Sequence, residues 1–204
     1  MIFAKAPVPG AVKTRLIPAL GPAGAAHLAL RMLENALQIA VSARLGPVQL
    51  HCAPDARHPD LQAAAARARA TCLAQGPGDL GERMRSALAA ALQLSPRALL
   101  LGTDCPALDA DVLREADAAL AAGADSVFVP TVDGGFALSG FRREALVAID
   151  QVFAGIPWST SAVMSSTRDH LARAGLRWME LATLVDVDEP AELKHIPPQW
   201  FATV

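Results

Sequence analysis

The sequence predicts an α/β protein in which a mostly parallel, mixed sheet lies between two layers of helices. Short apolar segments alternate with longer helical ones along the 204 residues, which is typical of a parallel sheet covered on both faces. Residues 97–101 (RALLL) form a short apolar run, as expected for a strand buried on both faces. An Asp-Gly-Gly turn separates two closely spaced strand segments, which indicates an antiparallel pair within the sheet. We therefore expect a three-layer α/β/α sandwich that forms a single domain over residues 1–204.

The first half of the chain carries the signals of four strands and three helices. Pro22 suits the first turn of a helix whose leucines recur at helical spacing, and Gly46-Pro47 ends that helix. Gly76-Pro77-Gly78 breaks the chain before a further helical segment. The expected strands cover residues 2–4, 48–52, 71–73 and 97–101, and the expected helices cover residues 22–42, 61–70 and 80–94.

The second half continues this alternation. Asp109 is a candidate N-cap for a helix that presents apolar residues on one face. Further strands are expected at 126–129, 136–141 and 177–181, and further helices at 144–152 and 161–174. An irregular stretch is expected at 155–159, and a last helical turn follows Pro190.

The composition excludes several classes of protein. Hydrophobic residues make up 52% of the chain, charged residues 19%, and the net charge is −2, which fits a well-buried globular protein without a basic nucleic-acid-binding surface. No apolar run reaches the ~20 residues of a membrane span, and Lys5 interrupts the first apolar stretch, so we expect neither a membrane partner nor a signal peptide. The three scattered cysteines form no CxxC pair, which argues against a disulfide framework or structural zinc and favours a reducing cytoplasm.

The loop after the first strand concentrates positive charge. In an open α/β sheet this loop lies at the edge where ligands bind, and a glycine there lets backbone N–H groups approach an anion. A diphosphate-binding loop and a solvated basic turn are equally compatible with this pattern. A Walker A loop is excluded because Val12 stands where that motif needs glycine. The residues predicted to bind nucleotide phosphates here are Ala4, Lys5, Gly10, Lys13 and Arg15.

Two aspartates that follow predicted strands are candidate metal ligands. Asp104 comes just after the buried strand, so we expect it at the ligand-binding edge of the sheet. Asp188 follows the last strand and could reach the same edge. Two carboxylates from separate strands, with waters and substrate phosphates, would make a Mg²⁺ or Mn²⁺ site. Each also has a structural alternative, namely an Asx turn before Pro106 for Asp104 and an N-cap of the last helical turn for Asp188.

The segment Gly78–Met84 (GDLGERM) opens a predicted helix after a short strand. Backbone amides at Gly78 and Asp79 could contact a nucleotide base, and Arg83 could contact a phosphate. The alternative is a capped helix start in which Asp79 and Glu82 form a capping box.

Two segments are candidates for the acceptor side of a site. The Asp-Gly-Gly turn places a carboxylate on permissive backbone, although a plain hairpin turn would use the same residues. A Trp-Ser-Thr string on the irregular stretch combines an indole with two hydroxyls, which suits a sugar or a small acceptor, although the indole could equally fill the core. The predicted acceptor-side residues are Gly134, Gly135, Trp158, Ser159 and Thr160, with Asp133 as a catalytic carboxylate.

Six sequence blocks occur in order along almost the whole chain. They read FAKAPVPGAVKTRL, GDLGERM, LGTDCPAL, PTVDGGFALSGF, IPWSTSAV and DVDEPAEL. With them the chain resembles a bacterial family of nucleotide-diphospho-sugar transferase-like proteins of the glycosyltransferase-A fold. Members of that family are described as radical-SAM/selenodomain-associated transferases or arsenosugar-biosynthesis glycosyltransferases. The resemblance implies an α/β/α sandwich related to sugar-nucleotide pyrophosphorylases and to molybdopterin or phospholactate guanylyltransferases.

The resemblance also implies roles for individual residues. In such folds the first loop holds the nucleotide phosphates, the acidic residue after the central strand holds the metal, and a late aspartate supplies a second ligand in some relatives. The matching residues are Gly10, Lys13 and Arg15 for phosphate, Asp104 for the metal and Asp188 for the second ligand. The chain departs from the pattern at Pro106, which takes the second place of an Asp-x-Asp pair.

These observations predict a cytoplasmic, metal-assisted transferase. Its partners would be a nucleotide or nucleotide-sugar and a small-molecule acceptor, with Mg²⁺ or Mn²⁺ as cofactor. We expect it to bind neither nucleic acid nor a membrane, and a homodimer is compatible with the sequence. The family favours glycosyl transfer, while the basic first loop fits nucleotidyl transfer with release of pyrophosphate equally well. A nucleotide-binding module without turnover is the third alternative, because the acidic pair at residue 104 is incomplete.

Overall fold

The structure, a computed structural model, describes residues 1–201. Its strands within that range are β1 (Ile2–Lys5), β2 (Gln49–Ala53), β3 (Thr71–Ala74), β4 (Arg97–Leu101), β5 (Ser126–Pro130), β6 (Phe136–Arg142) and β7 (Trp178–Glu180). They form a seven-stranded mixed sheet in the order β3-β2-β1-β4-β6-β5-β7. The α-helices are α1 (Ile17–Ala43), α2 (Pro59–Arg67), α3 (Leu80–Leu94), α4 (Ala110–Ala121), α5 (Ile149–Phe153) and α6 (Val163–Arg173). The predicted α/β class, with helices flanking a mixed and mostly parallel sheet, is confirmed.

The chain divides into two compact units. Of the described residues, the N-terminal unit contains Ile2–Gln75, Gly102–Ala110 and residues 185–201, and the central unit contains Met1, Gly76–Leu101 and Asp111–Leu184. The prediction of a single domain stays a prediction.

In the N-terminal unit, β1, β2 and β3 are parallel neighbours, with Ile2 opposite Leu50 and Leu50 opposite Cys72. A buried cluster forms where the residue before α1 and residues 25–32 of α1 pack against residues 187–196. Its members are Leu16, Ala25, Leu28, Met32, Val187 and Ile196. This packing fixes the segment that carries Asp188.

Helix α1 is longer than predicted but contains a break near the predicted start. Gly21 has φ 68° and ψ 167°, which is not helical, and Pro22 follows it, so the regular part of the helix begins at the proline. By length and composition alone, the helical stretch Thr14–Ala43 could cross a membrane, with a mean hydropathy of 1.3 over its most apolar 18 residues. Core helices of soluble proteins pass the same test, and the absence of a membrane partner stays a prediction.

In the central unit, β6 pairs antiparallel with both β4 and β5, and β5 pairs parallel with β7. The Asp-Gly-Gly turn joins β5 and β6, so the antiparallel pair predicted from that turn is confirmed. Phe128 packs edge-to-face on Phe136 and Phe141, with ring centroids 5.3 and 5.8 Å apart. The residues expected to form one helix at 144–152 instead form a 3-10 helix (Arg143–Ala148) followed by the short α5. Within the described part of the chain no side chain forms an N-cap hydrogen bond to this segment, and the tighter 3-10 turn starts directly at the end of β6.

Candidate active site

Segments from three parts of the N-terminal unit meet at the ammonium group of Lys13. Lys13 Nζ donates hydrogen bonds to Asp188 Oδ1 and to the carbonyl oxygen of Val187, both at 2.8 Å, and lies 2.5 Å from Asp104 Oδ1. The Lys13 side chain is 7% exposed, whereas the side chains of Asp104 and Asp188 are 48% and 39% exposed. The structure thus brings together three residues that the sequence analysis assigned to phosphate or metal binding.

The first loop reaches this position through residues with left-handed backbone conformation. Gly10 has φ 83°, and a Cβ there would meet no atom of residues 1–201 within 4 Å, so glycine is favoured at this position by the positive φ and not by a lack of space. Lys13 itself has φ 46° and ψ 42°, a region that lysine seldom occupies. Its carbonyl oxygen accepts a hydrogen bond from Leu16 N–H at 2.9 Å, next to the start of a 3-10 helix (Thr14–Leu16). We infer that the contacts of the ammonium group offset the backbone strain at Lys13.

The backbone groups of the two aspartates form hydrogen bonds that fix their positions. The carbonyl oxygen of Asp104 accepts from Val187 N–H at 2.8 Å, which ties the segment after β4 to the segment before Asp188. Asp188 N–H donates to Glu192 Oε2 at 2.7 Å, and so does the N–H of Glu189. Glu189 precedes the 3-10 helix Pro190–His195 as its N-cap residue, so the capping role considered for Asp188 belongs to its neighbour. The carboxylate of Asp188 contacts Lys13 instead.

The negative charges of Asp104 and Asp188 stabilise the positive charge of Lys13. Burial alone would lower the pKa of Lys13, but the charges of Asp104 and Asp188 and their hydrogen bonds raise it more, and the net effect is a pKa above the usual value. Lys13 is therefore a cation at neutral pH and faces two carboxylates. The three groups together carry one net negative charge.

Asp104 and Asp188 fit a divalent cation that shares its coordination with a substrate. Both carboxylates contact a single atom, Lys13 Nζ, so the two side chains converge on one point. Mg²⁺ commonly takes one or two protein carboxylates and completes its coordination with waters and substrate phosphates. Among the described residues no group of three or more His, Cys, Asp or Glu side chains could hold a metal, so the residues match a shared site rather than an all-protein cage.

The other residues predicted in the first loop differ in their surroundings. Arg15 is exposed, and its Nε lies 3.6 Å from Glu189 Oε1. Lys5 is exposed at the end of β1, while Ala4 is buried and its carbonyl oxygen accepts from Gln75 Nε2 at 3.4 Å. Arg15 and Lys5 are thus accessible to an anion, and their phosphate contacts stay a prediction.

The remaining candidates lie in the central unit. Asp79 and Glu82 form a capping box at the start of α3, with each side chain accepting the other residue's N–H at 2.9 and 2.8 Å. Arg83 Nε donates to the carbonyl oxygen of Gly78 at 2.8 Å. The capped helix start considered for this segment is present, and contact with a nucleotide base or phosphate stays a prediction.

The Asp-Gly-Gly turn is held by its own carboxylate. Asp133 Oδ1 accepts from Thr131 Oγ1 at 2.6 Å and from Gly135 N–H at 2.8 Å. The carbonyl oxygen of Gly134 accepts from Met164 N–H at 2.7 Å, which joins the turn to the start of α6. A Cβ on Gly134 would lie 2.2 Å from the carbonyl oxygen of Ser161, so this close approach requires glycine. The exposed Asp133 is therefore presented by a firmly held turn.

Trp158 packs in an aromatic group next to an exposed pair of hydroxyl residues. Its ring centroid lies 6.3 Å from that of Phe136 and 6.1 Å from that of Phe153. The indole Nε1 is buried and has no hydrogen-bond partner among residues 1–201. Ser159 and Thr160 follow on exposed backbone, and Thr160 Oγ1 donates to the carbonyl oxygen of Pro157 at 2.7 Å. Trp158 thus fills space between aromatic rings, as one alternative expected, and its contact with an acceptor stays a prediction.

Sequence reasoning missed several contributors to these two sites. The carbonyl oxygen of Val187 contacts Lys13, and no sequence signal marks a backbone acceptor. Gly81 packs under Trp158, where a Cβ would lie 2.7 Å from the ring and 2.9 Å from the carbonyl oxygen of Phe153. A glycine in the first turn of an amphipathic helix was the available signal for that contact.

Comparison with known proteins identifies the family of this chain. The profile of DUF2064, a family described as uncharacterized proteins conserved in bacteria, matches residues 36–160. The chain belongs to this family. None of the curated proteins matches the sequence.

Several solved structures with a fold similar to that of this chain are described as transferases. A proposed nucleotide-diphospho-sugar transferase from Desulfovibrio desulfuricans G20 is 34% identical, with a TM-score of 0.82 over 92% of this chain and 80% of that one. A cytidylyltransferase from Leptospira borgpetersenii is 12% identical, with a TM-score of 0.60 over 98% of this chain and 87% of that one. Glucosyl-3-phosphoglycerate synthase from Mycobacterium tuberculosis, solved with Mn²⁺ and UDP, is 12% identical, with a TM-score of 0.57 over 95% of this chain and 74% of that one. The resemblance to nucleotide-diphospho-sugar transferases is confirmed, and the two distant structures support the fold alone.

Proposed function

We propose that this transferase binds the diphosphate of a nucleotide-sugar at the cluster of Lys13, Asp104 and Asp188, with a divalent cation, and transfers the sugar to a small acceptor. The observation that carries the proposal is the approach of two carboxylates from separate segments to one cationic atom. The proposal is further supported by the relative that is 34% identical over most of both chains.

Each residue would act by charge and position. Arg15 and Lys5 are exposed cations that would contact phosphate oxygens and neutralise the departing diphosphate. Asp104 and Asp188 would hold Mg²⁺ or Mn²⁺, which when bound supplies further positive charge at the phosphates. The ion itself is proposed, with Mn²⁺ favoured by the complexes of related folds, such as the glucosyl-3-phosphoglycerate synthase solved with Mn²⁺ and UDP.

The acceptor would bind at residues of the central unit. The carboxylate of Asp133 is exposed on a rigid turn, where it could accept the proton of an attacking hydroxyl. The exposed Ser159 and Thr160, beside Trp158, offer hydroxyl groups next to an apolar ring face, which suits a polyhydroxylated acceptor. These roles rest on the chemistry and exposure of the side chains.

Nucleotidyl transfer is the second candidate, favoured by the cytidylyltransferase among the solved structures of this fold. Both reactions need the same neutralisation of phosphate charge, and they differ in the bond that breaks. Glycosyl transfer breaks the bond between the sugar and the diphosphate, and nucleotidyl transfer breaks the bond between the α- and β-phosphates.

The product released distinguishes the two reactions. The protein is incubated with Mn²⁺ and either nucleotide-sugars with a panel of polyols and small alcohols, or nucleoside triphosphates with a panel of sugar phosphates. Release of nucleoside diphosphate supports glycosyl transfer, and release of pyrophosphate supports nucleotidyl transfer. Thermal shifts with nucleotides but no product from either panel would contradict both and favour a binding module.

A further inference from the structure

The ammonium group of Lys13 lies where the proposed site would place its divalent cation. It contacts both carboxylates, at 2.5 Å from Asp104 and 2.8 Å from Asp188, and it has a third acceptor in the carbonyl oxygen of Val187. A cation bound between the same two carboxylate oxygens would be too close to this ammonium group, since both carry positive charge. Lys13 and the metal therefore compete for one position.

We propose that Lys13 is a built-in cation that keeps the divalent metal out until a nucleotide phosphate arrives. With a nucleotide phosphate present, the ammonium group of Lys13 would pair with a phosphate oxygen, and Asp104 and Asp188 would then be free to hold the ion that accompanies the phosphates. This inference rests on the proposed function, and it deepens it by limiting the ligand to a metal–polyphosphate complex rather than the free ion.

The burial of the three side chains supports this competition. The Lys13 side chain is almost fully buried, and its ammonium group is paired with carboxylates. Displacing the ammonium group would break these charged contacts, which costs free energy. The carboxylates of Asp104 and Asp188 are open to solvent, so a free ion can reach them but must also remove the lysine. A phosphate group changes this balance because it offers the displaced ammonium group a new anionic partner.

The backbone conformation of Lys13 also supports a role for its ammonium group between the two aspartates in the ligand-free protein. Lys13 lies in the left-handed region at φ 46°, a strained conformation for a lysine, while its ammonium group contacts both aspartates. The conformation is accounted for if the lysine holds the two acidic segments together before ligand binds.

Mn²⁺ binding measures the competition without any turnover. Free Mn²⁺ is followed by electron paramagnetic resonance as the ion is titrated into wild type, Lys13→Met and Lys13→Arg, first alone and then with ADP, GDP, CDP or UDP. Lys13→Met removes the charge and keeps the aliphatic chain. We therefore expect it to bind Mn²⁺ alone at least about tenfold more tightly than wild type, because the ion no longer has to break a charge-assisted hydrogen bond, and one such bond corresponds to about a tenfold change in affinity. Lys13→Arg keeps the charge and should stay within about twofold of wild type.

A surface lysine provides the matched control. Lys194→Met removes one positive charge at an exposed position of the same unit and should leave Mn²⁺ binding unchanged. In wild type a nucleoside diphosphate should increase Mn²⁺ affinity, and in Lys13→Met this increase should be smaller, because the competing cation is already gone. Circular dichroism establishes that each variant is folded, and Lys13→Gln repeats the test if Lys13→Met is not.

The outcomes separate this inference from the proposed function. If folded Lys13→Met binds Mn²⁺ alone no more tightly than wild type, while wild type binds Mn²⁺ with a nucleotide, the competition is refuted and the proposed site survives. If neither protein binds Mn²⁺ even with nucleotide, the metal–nucleotide site itself is refuted, and the inference with it.

Discussion

Replacing Gly134 by alanine tests how firmly the Asp-Gly-Gly turn is held. A Cβ at this position would lie 2.2 Å from the carbonyl oxygen of Ser161 and 2.7 Å from its carbonyl carbon, and the backbone has φ 91°. The backbone conformation alone costs about 1–2 kcal/mol for an alanine. Forcing the Ser161 backbone away adds about 1–3 kcal/mol and disturbs the hydrogen bond from Met164 N–H to Gly134.

We therefore expect Gly134→Ala to lower the free energy of unfolding by about 2–5 kcal/mol, measured by urea denaturation. For a chain of this length the loss corresponds to a decrease of roughly 5–15 °C in Tm. Gly155→Ala is the matched control, since Gly155 also has a positive φ, 67°, but a Cβ there would meet none of the described atoms within 4 Å. It should cost only the backbone contribution. Equal destabilisation by the two substitutions would refute the close contact with Ser161.

Two further predictions concern the central unit. Burial by itself would raise the pKa of Asp125, but hydrogen bonds from Arg177 and Arg142 outweigh this effect and hold the pKa below its usual value. The ionised carboxylate therefore stabilises the fold above about pH 4, and this contribution is lost as the pH falls through the lowered pKa. The free energy of unfolding should consequently fall more steeply from pH 5 to pH 3 in wild type than in Asp125→Asn, and parallel curves from urea denaturation would contradict this. Asp133→Ala and Trp158→Ala should lose turnover or acceptor affinity by tenfold or more, while calorimetry shows unchanged nucleotide binding; loss of nucleotide binding in both would remove them from the acceptor side.

The fold was predictable wherever local signals agreed with one another. Helix α3 and strand β4 have the predicted bounds, because a capping box starts the helix and a short apolar run defines the strand. The start of α1 was less predictable, since a break at Gly21 lets one helical turn precede Pro22. The 3-10 helix Arg143–Ala148 was missed because apolar spacing does not distinguish a 3-10 helix from an α-helix over so few residues.

The candidate site was predictable residue by residue but not as a cluster. Asp104 and Asp188 were found because acidic residues after strand ends are marked by their place in the chain. Their shared contact with Lys13 was not predictable, because it depends on how segments 84 and 91 residues apart along the chain pack together. A basic residue in a Pro/Gly loop has the same sequence pattern whether it is solvated or, like Lys13, buried between two carboxylates.

The most direct test of the proposed site is the Mn²⁺ affinity of Asp104→Asn in the presence of the nucleotide that gives the largest thermal shift. The substitution keeps the shape of the side chain and removes its charge, and asparagine forms the same kind of turn as aspartate, so the fold should survive. Asp169→Asn, which changes an exposed carboxylate on α6, is the control. The proposal predicts that Asp104→Asn binds Mn²⁺ with nucleotide at least about tenfold more weakly than wild type and Asp169→Asn. Equal affinity in all three proteins would contradict it and leave Asp104 as a structural residue.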